Sequence, residues 1–153
     1  MKKLKHRAGF VSILGRPNAG KSTLLNALVG QKVAIVTSRP QTTRTAIQGV
    51  LTTPGAQIVF VDTPGIHKST TLMNKRMMDS VRASAHTDVV LFMIDALARF
   101  TEEDAQAVDF LKKIEAPVIA VFNKVDQLTE KPKLLERIEQ YKRLHDFAAY
   151  IPI

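Results

Sequence analysis

Residues 15–22 read Gly15-Arg16-Pro17-Asn18-Ala19-Gly20-Lys21-Ser22, and the rest of the chain is organised around them. The stretch fits the phosphate-binding loop pattern of glycine, four residues, and then Gly-Lys-Ser. A short apolar run of strand type, residues 9–14, precedes it. A helical pattern over residues 21–28 follows it and ends at Gly30. Strand, glycine loop and helix start are the context in which this pattern binds phosphate groups.

Each residue type in the loop has a chemical reason. Gly15 and Gly20 let the backbone wrap closely, so that its N–H groups point at phosphate oxygens, and the helix start adds the positive end of its dipole. Lys21 supplies a mobile positive charge for the outer phosphates, and Ser22 a hydroxyl for Mg²⁺. The alternative is a glycine turn before an ordinary helix. The candidate phosphate-contacting residues are Gly15, Asn18, Ala19, Gly20, Lys21, Ser22 and Thr23.

Length and composition narrow the class of protein. The 153 residues suit one domain, and the absence of cysteine excludes a disulfide framework and thiolate metal sites. No apolar run approaches the roughly 20 residues that span a bilayer. We therefore expect a cytoplasmic protein. We also expect it to be a monomer.

The formal charge of +8 is concentrated at the N-terminus, where Lys2, Lys3, Lys5 and Arg7 supply four of the positive charges. A basic surface of this kind binds RNA, DNA or anionic lipid. Weak membrane association, peripheral at the inner membrane, is one interpretation of it. The alternative is a solvated surface with no partner.

The alternation of strand and helix patterns along the rest of the chain predicts a doubly wound α/β fold with a mainly parallel sheet and helices on both faces. Residues 46–52 and 56–61 predict an antiparallel pair across Thr53-Pro54-Gly55, with the first strand at the sheet edge. Further strands are expected at 89–94 and 117–122 and from Tyr150, and further helices at 72–85, from Thr101 and at 132–146.

Two more motifs follow predicted strands, as Gly15 does. In such sheets ligands sit at the carboxyl ends of the strands, so one fold brings the three motifs together. Asp62 has the place of the acidic residue that holds Mg²⁺ through water, and the backbone N–H of Gly65 suits a third phosphate. The alternative for Asp62-Thr63-Pro64-Gly65 is a simple strand-ending turn.

The third motif, Asn123-Lys124-Val125-Asp126, predicts the base. The Asp126 carboxylate can accept two parallel hydrogen bonds from guanine, a donor pair that adenine lacks. Asn123 can bridge the base edge and neighbouring loops, and the aliphatic stem of Lys124 can cover the flat face of the base. An exposed polar turn is the alternative.

A long polar loop between the first two motifs holds candidate switch residues. A hydroxyl of Thr43 or Thr42 would complete the magnesium shell when a third phosphate is present. Thr43 is favoured, with Thr42 close behind. The four histidines are scattered and suggest no metal cluster.

Together the motifs resemble the translation-factor-like class of GTPases, and most closely its bacterial Era-type family. The matching stretches are Gly15–Thr23, Thr37–Arg44, Asp62–Gly65 and Asn123–Asp126. The resemblance covers nearly the whole chain and implies a small G domain of the P-loop NTPase fold that binds GTP and GDP with Mg²⁺ and hydrolyses GTP slowly. Lys21, Thr43 and Gly65 are then the catalytic candidates.

The same resemblance implies partners and an ion. Era-type proteins bind 16S ribosomal RNA through a C-terminal KH domain and act in small ribosomal subunit assembly. The chain is expected to be the G domain alone, ending before a last base-contacting motif and a final helix. Asn18 matches a position that related GTPases use to hold K⁺, and Ile66 replaces the glutamine that orients water in Ras-like enzymes.

Two other functions stay open on the sequence. One is a different phosphate-loop enzyme, such as an ATPase or a small-molecule kinase. The other is a non-catalytic module that binds guanine nucleotide or serves as an RNA scaffold.

Overall fold

The computed structural model describes residues 6–30, 46–62 and 86–153, and all structural statements refer to these. The strands are β1 (Arg7–Gly15), β2 (Ala46–Thr53), β3 (Ala56–Asp62), β4 (Val89–Asp95), β5 (Val118–Asn123) and β6 (Ala149–Pro152). The helices are α1 (Lys21–Val29), α2 (Glu102–Leu111) and α3 (Pro132–Lys142), with a 3₁₀ turn at Val125–Gln127.

The strands form one six-stranded sheet in the order β2-β3-β1-β4-β5-β6. Strands β2 and β3 pair antiparallel, and the other neighbouring pairs are parallel. The predicted doubly wound class and the edge position of β2 are confirmed. The parallel pairs put the carboxyl ends of β1, β3, β4 and β5 at one edge of the sheet.

Strand β4 lies at the centre and is buried on both faces. Val90, Phe92 and Ile94 pack with α2 and α3 residues in one hydrophobic cluster. Met93, the residue between, packs in the second cluster with Leu25 of α1. The alternation of side chains along a strand therefore places a core on each face, as the continuous apolar run predicts.

The end of α3 differs from the sequence prediction. The helix ends at Lys142 rather than at residue 146. Phe147 turns inward and is buried, with its ring stacked on Phe92 at 6.3 Å between centroids. The next residue, Ala148, donates its N–H to the carbonyl of Val118 at 2.8 Å, which starts the pairing with β5. The chain leaves the helix because tertiary packing outweighs helical periodicity here.

The predicted helix at 72–85 lies outside the described residues, as does the loop at 31–45. No helix in the described part of the chain is long and apolar enough to cross a membrane.

Candidate functional site

The first and third motifs meet at the carboxyl edge of the sheet. Gly15 ends β1 and Asn123 ends β5, with β4 between them in parallel register. Asp62 ends β3, which pairs parallel with β1 on its other side. Gly15, Asp62 and Asn123 stand at the ends of their strands, as the sequence predicts, and the parallel sheet brings these three strand ends to one edge.

Gly15 is required by close packing as well as by backbone shape. Its φ is 153°, and a Cβ there would lie 2.6 Å from the carbonyl oxygen of Met93 in the neighbouring strand. Gly20 has φ 96° at the start of α1, and a Cβ there would overlap the side-chain amide of Asn123. The two motif glycines therefore let the loop lie directly against β4 and β5.

Lys21 is folded back over the loop that precedes it. Its Nζ donates to the carbonyl oxygens of Gly15 at 2.8 Å and Arg16 at 2.7 Å. Burial lowers the pKa of the Lys21 ammonium from its ordinary value. The cation is thus already centred over the loop and held by backbone dipoles.

Asn123 joins the base motif to the phosphate loop. Its Nδ2 donates to the carbonyl oxygen of Ala19 at 2.9 Å. Its Oδ1 accepts the backbone N–H of Lys124 at 2.8 Å, so both ends of the amide are used. Asn123 therefore bridges the phosphate loop and the base motif, as the sequence predicts for neighbouring loops. Its contact with a base edge stays a prediction.

Lys124 makes a second connection. Its Nζ donates to the carbonyl oxygen of Asn18 at 3.1 Å and to Asp95 Oδ2 at 2.6 Å. Both Lys124 and Asn18 have left-handed backbones, with φ of 68° and 63°. The ammonium is therefore pinned at its tip, and its aliphatic stem is left beside the cavity described next.

A cavity of about 570 Å³ opens between the two loops. Its wall includes exposed Ser22 and Thr23 at the start of α1 and exposed Asp126 in the 3₁₀ turn. The full lining is Asn18, Gly20, Lys21, Ser22, Thr23, Asn123, Lys124, Asp126 and Gln127. Ala19 is buried and does not line the cavity.

The structure does not describe several of the predicted site residues. Thr42, Thr43, Gly65 and Ile66 lie outside the described residues, as does the side chain of Asp62. Their roles in metal binding and catalysis stay predictions.

Sequence reasoning missed Asp95 and Gln127. Asp95 ends β4, and the rule that polar residues ending parallel strands share one edge would have found it. Gln127 follows Asp126 in the 3₁₀ turn, and no sequence motif or pattern would have identified it.

The arrangement suits a ligand with two different ends. The start of α1, with its backbone N–H groups and the Lys21 ammonium, favours an anionic phosphate group. At the other end of the cavity, the Lys124 stem offers an apolar surface and Asp126 a pair of acceptor oxygens. A planar base with two adjacent donors matches that end.

Comparison with known proteins agrees with this geometry. Residues 10–124 match the family model described as 50S ribosome-binding GTPase. A protein of Geobacter metallireducens named GTPase Era is 50% identical over 148 residues, covering 96% of this chain and 49% of that protein.

Two solved structures are similar in fold and sequence. Era in complex with MgGDPNP and nucleotides 1506–1542 of 16S ribosomal RNA matches with a TM-score of 0.74 and 38% identity, over 95% of this chain and 50% of that one. A variant of Aquifex aeolicus Era bound to GDP.AlF4- matches with a TM-score of 0.72 and 37% identity, over 95% and 50%. The chain therefore spans about half the length of the relatives it matches.

Proposed function

Because this chain belongs to the family of 50S ribosome-binding GTPases, we propose that it binds guanine nucleotides and hydrolyses GTP to GDP and phosphate as a molecular switch. The single observation that carries the proposal is the pair of bonds between the two loops. Asn123 bonds to Ala19, and Lys124 bonds to Asn18. These bonds support the proposal that base recognition and phosphate binding belong to one site.

Guanine is the base that the site fits best. Asp126 lies on the cavity wall and is exposed, so its carboxylate is open to a ligand. Guanine presents the N1–H and N2 amino donors side by side, whereas adenine would leave the carboxylate unpaired. Because this acceptor has no partner on adenine, it argues against an ATPase or a small-molecule kinase.

Magnesium is proposed as the metal cofactor. The Ser22 hydroxyl is a hard oxygen ligand on the cavity wall next to Lys21, which fits the cation. Asp62, Thr43 and Thr42 are the other proposed ligands, with Thr43 favoured over Thr42. Bound Mg²⁺ would neutralise phosphate charge, while Lys21 and the backbone of Gly20 and Gly65 orient the phosphates.

Hydrolysis is proposed to be slow without a partner. Ile66 has no polar atom with which to orient water, so backbone groups, an ion or an outside protein must do so. Asn18 is exposed on the cavity wall and is proposed to hold K⁺ against the phosphates. Such a cation would supply charge where a transition state develops it.

The RNA role is proposed for the longer protein. The curated relatives are named GTPase Era, and one solved Era structure holds a segment of 16S ribosomal RNA. We propose that binding of 16S ribosomal RNA and assembly of the small ribosomal subunit depend on a KH domain beyond the G domain. Weak peripheral contact with an anionic membrane is a lesser proposal that rests on Lys2, Lys3, Lys5 and Arg7.

Nucleotide competition followed by turnover tests the proposal. A fluorescent GDP analogue bound to the chain should be displaced by GTP and not by ATP at equal concentration. Phosphate release from GTP should then require Mg²⁺. Equal displacement by ATP would favour the kinase or ATPase alternative, and tight GTP binding without turnover would favour the non-catalytic module.

A further inference from the structure

We infer that Arg16 is a positioning residue for Lys21, and that it ties the phosphate loop to the start of α2. The inference rests on the proposed nucleotide site, because Lys21 is the phosphate-binding cation of that site. Arg16 does not line the cavity, and no motif assigns a role to its side chain.

The guanidinium of Arg16 bridges two carboxylates of α2. Nη2 lies 2.9 Å from Glu103 Oε2, and Nη1 lies 3.1 Å from Asp104 Oδ2. Nη1 also lies 3.4 Å from the hydroxyl of Thr101, the N-cap residue of the helix. A planar guanidinium suits this arrangement, because its nitrogens form a rigid fork that a lysine ammonium cannot reproduce.

The α2 end of this bridge is anchored in the core. Asp104 is 6% exposed, and its Oδ2 accepts the backbone N–H of Thr101 at 2.8 Å and the Thr101 hydroxyl at 3.0 Å. Asp104 also accepts the hydroxyl of Tyr141 in α3. Burial and this carboxylate raise the pKa of Tyr141 far above its ordinary value, so the hydroxyl remains a donor.

Tyr141 in turn is fixed by aromatic packing. Its ring lies 5.3 Å from Phe100, 5.8 Å from Phe122 and 6.3 Å from Phe92, measured between centroids. Because Tyr141 is 2% exposed, these contacts leave it little freedom. The carboxylate that holds Arg16 therefore belongs to a rigid body.

At its other end, Arg16 acts through its own carbonyl group. That oxygen accepts Lys21 Nζ at 2.7 Å and the backbone N–H of Ala19 at 3.3 Å. A guanidinium fixed by α2 limits the rotation of the Arg16 backbone. The Arg16 carbonyl group is thereby held in place. It in turn fixes the resting position of the Lys21 ammonium, which is bonded to it.

The two carboxylates should contribute unequally. The Glu103 side chain is 55% exposed and its pair with Arg16 is screened by water, whereas the Asp104 side chain is 8% exposed. Glu103→Gln should therefore change little. Arg16→Ala should change nucleotide binding, because it removes the link to the buried carboxylate as well.

The experiment compares GDP affinity in Arg16→Ala, Arg16→Lys and Lys112→Ala. Lys112, at the C-cap of α2, pairs with exposed Asp109 of that helix at 2.7 Å, so its loss controls for a broken α2 ion pair. We expect Arg16→Ala to weaken GDP binding by roughly tenfold or more. Arg16→Lys should recover part of the loss, and Lys112→Ala should match the parent.

A double-mutant cycle separates positioning from plain stabilisation. If Arg16 acts through Lys21, its removal costs little affinity once Lys21→Ala is present, so the two losses are not additive. Full additivity, or unchanged GDP affinity in Arg16→Ala, would overturn the inference while leaving the proposed function intact. Failure of the parent chain to bind GDP would instead overturn the proposed function. If Arg16→Ala does not fold, the same double-mutant cycle is measured with Arg16→Lys in its place.

Discussion

Lys124 Nζ lies 2.6 Å from Asp95 Oδ2 and 3.1 Å from the carbonyl oxygen of Asn18, so one ammonium joins the end of β4 to the phosphate loop. Asp95 is itself oriented, since its Oδ1 accepts the backbone N–H of Leu97 at 2.9 Å. Partial burial on its own would raise the pKa of Asp95. Bonds from Lys124 and Leu97 and the Lys124 charge outweigh it, and the pKa lies below its ordinary value.

Asp95→Asn should weaken guanine nucleotide binding by about three- to tenfold. The amide keeps an oxygen for Leu97 but loses the charge that pins Lys124, so the stem beside the base becomes mobile. Titration with fluorescent GDP measures the change. Asp109→Asn is the matched control, because it removes an exposed pair with Lys112. Equal affinities in parent and Asp95→Asn would show that Lys124 needs no such partner.

Gly20→Ala should abolish tight nucleotide binding. Its Cβ would displace the Asn123 amide from Ala19, in addition to straining a backbone with φ 96°. Gly30→Ala is the control, because Gly30 also has a positive φ, 71°, but a Cβ there would meet no atom within 4 Å. Both variants should lose about 1 kcal/mol of stability from strain, and Gly20→Ala more. Calorimetric GDP titration distinguishes them, and comparable GDP affinity in the two would refute the steric argument.

Asp126→Asn should exchange guanine for xanthine selectivity. An amide can donate to the carbonyl that xanthine carries, whereas it meets the guanine amino group with a donor of its own. GTP affinity should fall, by at most roughly 10⁴-fold, and xanthosine triphosphate binding should improve. Asp146→Asn, an exposed carboxylate after α3, is the control. Unchanged GTP affinity in Asp126→Asn would reject the base assignment.

GTP hydrolysis should be faster in K⁺ than in Na⁺ at equal ionic strength. The gain should be roughly tenfold and largely lost in Asn18→Ala, since the proposed ion is held by that side chain. Ile66→Ala should cost little, because the isoleucine side chain has no polar atom. Phosphate release measures all three, and equal rates in the two salts would remove the potassium role. A large loss in Ile66→Ala would place that residue in the catalytic geometry.

His145 should make the fold slightly less stable in acid. Burial lowers its pKa and Lys112 adds to this, while Asp146 opposes them. The unfolded chain then binds the proton at higher pH than the folded chain does, so stability falls as the pH drops from the ordinary value of 6.5 toward the folded pKa. Melting temperatures at about pH 5 and pH 8 should show His145→Gln reducing this acid loss by about 1 °C. An identical pH dependence in parent and variant would contradict it.

The sequence predicts the sheet and the approach of the phosphate loop to Asn123, because each depends on local pattern and on the rule that parallel strands end together. It does not predict contacts between distant side chains. Arg16 meets Asp104 across 88 positions and Lys124 meets Asp95 across 29, and neither pair has a period or a motif. The end of α3 is missed for a related reason, since Phe147 leaves the helical pattern to fill a core built by β4.

The carbonyl oxygens that hold Lys21 set a condition on any anion that binds there. An incoming anion must compete with Gly15 and Arg16 for the same ammonium, whose bonds to them are 2.8 and 2.7 Å long. A singly charged anion would gain less from this exchange than a polyphosphate, which offers more charge and more acceptor oxygens. We therefore expect the resting position of Lys21 to favour polyphosphates over small anions.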